Sequence, residues 1–259
     1  IFDKSKIFKQ EISMRFRLVA KKYCRRLTLS GWLVLLLMLV LLFRIWMGSV
    51  SGWLSLNYPV KTKTLVVEGW IEDYALKNAM NFYKKNGYKH LIVTGISITQ
   101  WYGYVAFKNT AEGAEAVIKG DGFTDSIYQA VIPRTVTINR TYNTAVATRI
   151  LFEKHPGWGK TFNIYSVGVH SRRTHLMFER AFGDKYKIGI IADTDRTFDP
   201  KHWWKSSKGF RNVSNEFVAF NYVWMFFHPD EKAFERRLKA GYAMDSIRQL
   251  HRKSKNVFK

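Results

Sequence analysis

From Leu27 to Leu54 the chain is largely apolar, with Arg44 its one charge; Leu29 to Phe43 carry none, and Leu33 to Leu42 are unbroken Leu, Val and Met. A helix of about 20 such residues spans the roughly 30 Å hydrocarbon core of a bilayer. Trp32 and Trp53 stand 21 residues apart, about 31 Å at 1.5 Å per residue, a spacing suited to interfacial aromatic anchors. The pattern predicts a transmembrane anchor over 29–50, preceded by a basic segment 1–28 and followed by a linker 51–63. A buried core helix and a secretory signal peptide are the competing readings. No small-x-small cleavage site follows the run, and a basic lead of 28 residues is long for a signal n-region.

Beyond the linker the pattern changes to short β-branched runs alternating with helical periods. Thr64 to Val67 reads as a strand. Asp73 opens a helix with Leu76, Ala79, Met80 and Tyr83 on one face, closed by Gly87. Leu91 to Val93 is the next strand, Ala106 to Lys119 a helix, Ser126 to Ile132 a strand, and Val136 to Ile138 a short extension of it. Thr141 to Lys154 is a helix ended by His155-Pro156-Gly157, because Pro cannot continue it. Thr161 to Val169 is a strand, Ser171 to Phe182 a helix before Gly183, and Tyr186 to Ala192 a strand. Such alternation predicts an α/β domain over 64–227, a mostly parallel three-layer sheet with helices on both faces. Asn212 to Phe227 is an aromatic-rich packing helix, and 228–259 reads as a basic tail, amphipathic or partly disordered.

Charge orients the anchor. Residues 1–28 hold nine Lys/Arg against Asp3 and Glu11, and positive flanks stay cytoplasmic, so the main domain is expected outside. Arg44 reads as snorkelling toward the outer headgroups rather than as a functional intramembrane charge. The net charge of +22 divides as +7 over 1–28, +1 at Arg44, +9 over 51–227 and +5 over 228–259. Just over half sits in the two tails, and the N-terminal one suits an anionic leaflet, making the lipid bilayer the expected partner. No zinc-finger, RRM or helix-turn-helix signature appears, which argues against nucleic acid. The single cysteine, Cys24, precedes the anchor, so no disulfide framework, Cys-based zinc site or thiol nucleophile follows it.

Ligands of open parallel sheets bind beyond the carboxyl ends of the strands. Four junctions fall there: Glu68-Gly69-Trp70-Ile71-Glu72-Asp73; Thr94-Gly95 with a long loop to Glu112; Asn139 to Thr144; and Gly168 to Arg173. Arg140, Arg172 and Arg173 sit at expected helix N-termini, where the dipole disfavours a cation by about 0.3–1 kcal/mol. Either an anion lies between them, or each pairs with an acid such as Glu68 or Glu112. The chain lacks a G-x-G-x-x-G fingerprint, a P-loop and a G-x-S-x-G elbow. His170 and His175, five apart, do not fit a zincin pair; His170 is the functional candidate and His175 a helix-face residue. Asp193, Asp195 and Asp199 lack EF-hand spacing and read as a solvated turn. No metal or cofactor is assigned.

Several motifs in order resemble the YdcF/SanA/ElyC family of bacterial envelope-associated proteins: Val67-Glu68-Gly69-Trp70 with Asp73-Tyr74-Ala75-Leu76, Thr94-Gly95, Thr110-Ala111-Glu112, Arg140-Thr141-Tyr142, His170-Ser171-Arg172-Arg173 with Phe178-Glu179, and Trp203-Trp204-Lys205-Ser206-Ser207. The similarity spans 64–227 and departs at Gly95, followed by Ile96-Ser97 rather than a second Gly. It implies a Rossmann-like domain held at the bacterial inner membrane by one span, N-terminus inside, serving peptidoglycan or surface-polysaccharide metabolism or barrier integrity. The expected ligand is a phosphorylated or lipid-linked saccharide. Arg140, Arg172 and Arg173 would hold the phosphate, His170 would act as general acid or base, and Glu68 and Glu112 would orient a hydroxyl, water or cation. Gly69, Trp70, Asp73, Thr94, Gly95, Thr141 and Asn143 complete the candidate ligand set, with Trp70 or Trp101 stacking on a sugar. A non-catalytic scaffold that recruits envelope enzymes is the alternative.

The orientation is testable. A reporter fused after Lys259 should be active only outside the cytoplasm, and a cysteine introduced near Ser207 should react with an impermeant reagent in intact spheroplasts. Labelling confined to lysed cells would reverse the assignment.

Overall fold

A run such as Leu65-Val66-Val67, apolar on both faces, suits a strand covered by helices on both sides. In the computed structural model, which describes residues 28–98 and 107–257 with side chains to 246, Thr64–Glu68 is such a strand, buried throughout. This strand, β1, pairs in parallel with β2 (His90–Ile96) and β4 (Thr161–Val167). β3 (Ile127–Ile132) and β5 (Lys187–Asp193) form the edges, giving one five-stranded sheet in the order β3-β2-β1-β4-β5, all parallel. The chain is an α/β protein with a Rossmann-like sheet.

The period of two along each strand divides the core. Leu65, Val67, Leu91 and Val93 face α2 (Asp73–Lys85) and α3 (Thr110–Gly120). Val66, Ile92 and Ile164 face α4 (Arg140–Lys154) and α5 (Ser171–Phe182). Leu76, Ala79, Met80 and Tyr83 form the buried stripe of α2, as their spacing predicts, and Gly87 takes φ +61° just beyond its end. Val136–Ile138 is loop, not strand: Pro133 ends β3, and the chain turns with Val136 N–H donating to Pro133 O. The strand expected to reach Val169 stops at Val167, because Gly168–His170 form a 3-10 turn that hands the chain directly to α5.

The chain divides into two units, 1–43 and 44–259. In the first, the apolar side chains of α1 (Leu29–Leu54) are mostly exposed up to Phe43. This helix is long and apolar enough to cross a membrane. In the second unit the helix continues past residue 50, and Val50 and Leu54 are buried against Val169, Trp203 and Val213. Trp53 therefore does not stand alone as an interfacial anchor. It lies edge-on to Phe220, 5.0 Å between centroids, under the Arg172 guanidinium.

Two segments assigned outside the domain belong to it. In the linker, Tyr58 exchanges backbone hydrogen bonds with Ile190 at 2.7 and 3.0 Å, and Val60 does so with the buried Asn163 side chain at 2.8 and 2.7 Å. The supposed tail forms α7 (Glu231–Val257) after α6 (Ser207–Phe226). Phe234 and Leu238 are buried in the α4–α5 face of the core, with Phe234 4.8 Å from Tyr142. Arg149 bonds Glu231 and Glu235 at 2.9 and 3.2 Å. The basic composition of 228–259 masked these two apolar positions, one helical turn apart. Residues 1–27, 99–106, 258 and 259 lie outside the described structure, and with them Cys24 and Trp101; the helix expected from Ala106 begins only at Thr110, because the Asn109 side chain caps it there by accepting from Glu112 N–H.

Leu238→Ala should therefore cost about 2–5 kcal/mol, the range for emptying a fully buried leucine site. Urea denaturation of the two proteins measures it; an unchanged midpoint would remove α7 from the core.

Candidate functional site

Parallel pairing brings every strand's carboxyl end to one edge, and Glu68 and Thr94 are register partners there. β1 lies between β2 and β4 in this order, so the first crossover leaves on one side and the later strands build on the other. A cavity of about 290 Å³ opens at this topological switch. Its walls are Glu68 and Trp70 after β1, Thr94, Gly95 and Thr110 around β2 and α3, Arg140, Thr141 and Thr144 of α4, His170 and Arg173 at α5, and Glu216 of α6.

Glu68 is buried at the end of the central strand, where a carboxylate needs hydrogen bonds or cationic partners. It accepts from the Ser166 hydroxyl and from Thr174 Oγ1 at 3.2 Å, and its Oε1 lies 3.5 Å from His170 Nε2. On the other side, His170 Nδ1 lies 2.9 Å from Glu216 Oε1. Arg173 grips Glu216 bidentately, Nε to Oε2 at 2.8 Å and Nη2 to Oε1 at 2.9 Å, and reaches Thr141 Oγ1 at 3.3 Å. Trp70 packs edge-on against the imidazole, centroids 4.9 Å apart.

Two carboxylates on one imidazole set its protonation. Burial by itself would lower the His170 pKa, but Glu68 and Glu216 outweigh it and raise it to about 9. Burial would likewise raise the Glu216 pKa, but His170 and Arg173 hold it down at about 2. Glu68 is also lowered, against burial, by His170, Ser166 and Trp70. At neutral pH the quartet is thus two anions and two cations, neutral as a set. His170 stands in it as an acid.

Arg140 differs from Arg173. It is exposed on the rim, and no described carboxylate pairs with it. It opens α4, whose N-cap Asn139 adopts φ 50°, ψ 41° and offers no side-chain cap to the first amides. Asn143 Nδ2 holds that left-handed turn by donating to Ile138 O and Asn139 O at 3.0 and 3.1 Å. Asn143 is therefore a brace behind the site rather than part of its wall. Gly95 is required by proximity: a Cβ there would come within 2.8 Å of Ala111 Cβ. Gly69, off the wall, is likewise a packing position, where a Cβ would press into Thr94 O.

The remaining candidates lie elsewhere. Arg172 is turned away from the cavity, donating to Trp53 O and stacking on its ring, because successive helical residues point about 100° apart. Glu112 is a capping residue of α3, accepting from Lys108 N–H at 2.8 Å while its own N–H bonds Asn109 Oδ1. Asp73 is an exposed first-turn acid of α2. Of the acids after β5, Asp193 accepts from Asn78, Asp195 from Thr197, and Asp199 pairs with His202 at 2.6 Å. Glu216 escaped the sequence reading altogether. Its signal was there: it is the one acid in the aromatic run 207–227. No family model, curated protein or solved structure matches the chain.

The two arginines should separate in stability. Arg173→Ala strands Glu216 and should cost about 3–5 kcal/mol, whereas Arg140→Ala, at an uncompensated helix N-terminus, should cost nothing or stabilise slightly. Equal effects in denaturant titrations would contradict the assignment. The pH profile is a second check. The His170 contribution is complete below its unfolded pKa of 6.5 and is lost as pH rises through about 9; that of Glu216 is present above 4.5 and lost as pH falls through about 2. His170→Gln should thus flatten the fall in stability between pH 6.5 and 9.

Proposed function

We propose that this is a membrane-anchored domain of the YdcF/SanA/ElyC type, facing out of the cytoplasm, whose strand-end cavity takes a phosphate-bearing intermediate of envelope polymer metabolism. The observation that carries the reading is Arg140. It adds a cation to a site whose other charges already cancel, beside the uncapped amides of α4. Free backbone N–H groups and a guanidinium fork both suit phosphate oxygens. Arg173, held by Glu216, positions His170 rather than receiving the anion.

His170 supports a chemical step as well as binding. An imidazolium between two carboxylates can pass its Nε2 proton to a departing oxygen, leaving neutral imidazole with Glu216 still paired to Arg173 and Glu68 still accepting from the Ser166 and Thr174 hydroxyls. A raised pKa weakens it as a base at neutral pH, so the acid role is the one the geometry favours. The scaffold reading keeps one observation in its favour: the quartet is complete without a ligand.

Pyrophosphate or a prenyl-linked sugar phosphate should raise the melting temperature of the detergent-solubilised protein. The stabilisation should approach 2.7 kcal/mol when ligand reaches about 100 times its Kd. Arg140→Ala should abolish the effect without lowering the melting temperature of the unliganded protein. Wild type indifferent to every phosphate tried would leave the scaffold standing.

A further inference from the structure

A second cavity, of about 380 Å³, lies against the first and shares Trp70, His170 and Glu216 with it. The two are chambers of one cleft, with the Trp70–His170 pair between them. Their linings differ in kind. The first adds the Arg140 cation to a quartet whose charges cancel, and so is the cationic end. The second presents Glu72 and Asp195, with Lys208 3.9 Å from Glu72, and so does not favour a second anion.

What distinguishes the second chamber is uncommitted amides. Lys208, Asn212, Asn215 and Glu216 recur at i, i+4, i+7 and i+8, one face of α6, and all four line this cavity. They form a polar stripe on a helix otherwise rich in Phe, Tyr and Trp. The side-chain amides of Asn212 and Asn215 have no hydrogen-bond partner among the described residues, so each offers a donor pair and an acceptor to the space. Trp70, 47% exposed, lines the same chamber, as do the apolar side chains of Ile71, Val167 and Val169. Each chamber is near the lower end of the size range of small-molecule sites.

We propose that the second chamber is a saccharide subsite, and that the ligand is a glycosyl phosphate lying across the cleft. The phosphate sits at Arg140, the sugar between Trp70 and the Asn212/Asn215 pair, and the bridging oxygen beside His170. This rests on the phosphate reading of the first chamber. Neutral hydroxyls both donate and accept, as amides do, and the C–H face of a pyranose is an apolar surface for an aromatic ring. A ligand of that length also explains why the one imidazole belongs to both cavities: it stands where the two halves of a glycosyl phosphate join.

The experiment uses the full chain in detergent micelles and compares inorganic phosphate, an N-acetylhexosamine 1-phosphate and phosphoethanolamine by calorimetry. The sugar phosphate should bind about tenfold or more tighter than phosphate, the scale of one or two net hydrogen bonds. In the Asn212→Ala/Asn215→Ala variant that ratio should fall to near one. A ratio unchanged in the variant, or near one in wild type, overturns the subsite, and a preference for phosphoethanolamine assigns the acidic chamber to an amine instead. If no phosphate binds at all, the reading of the first chamber fails. The second is then read separately by saturation transfer to a methyl N-acetylhexosaminide. Transfer present in wild type and lost in the variant upholds the sugar chamber; no transfer in wild type overturns it.

Discussion

A carboxylate buried at the end of the central strand is the constraint around which this domain is arranged. Glu68 cannot stay ionised there without donors, and the structure supplies them from separate elements: Ser166 at the end of β4, Thr174 in α5, and His170 in the turn between them. His170, once charged, calls for a second acid, and Glu216 of α6 supplies it. Arg173 then compensates Glu216. Breaking any link leaves a buried charge unmatched, which is why the set behaves as a unit rather than as separate surface pairs. It fixes β1, β4, α5 and α6 to one another at the edge where the cavity opens.

That neutrality also sorts the arginines. Three were candidates for one anion, and the fold gives them three tasks. Arg173 balances an acid, Arg172 holds the end of α1 through Trp53, and Arg140 remains facing the cavity. A single uncommitted cation at an open helix N-terminus is a more selective device than a cluster. It adds attraction for an anion without leaving a group of like charges to repel one another when the site is empty.

Much of this was legible in the chain. The apolar run of 27–54, interrupted by the single charge of Arg44, sets a helix long and apolar enough to cross a membrane. The β-branched runs at 64–67 and 91–93, with helical periods between them, set the parallel sheet, and parallel pairing puts Glu68, Thr94 and His170 at one edge. Ser171–Phe182 was readable to its ends from its apolar spacing and the following Gly183. These are local facts: periodicity and turn chemistry act over a few residues, and sequence carries them directly.

Side-chain commitment was decided by tertiary structure alone. Arg172 and Arg173 are neighbours with the same chemistry, and only the position of α5 between α1 and α6 sends one to Trp53 and the other to Glu216. Glu216 lies 148 residues from Glu68, too far for any spacing rule to join them, yet both contact one imidazole. Phe234 and Leu238 looked like part of a basic tail until α4 offered Tyr142 beside them. Composition and period told which elements form. Which charges meet, and which one is left facing the cavity, depends on contacts across the whole chain, and those exist only once it has folded.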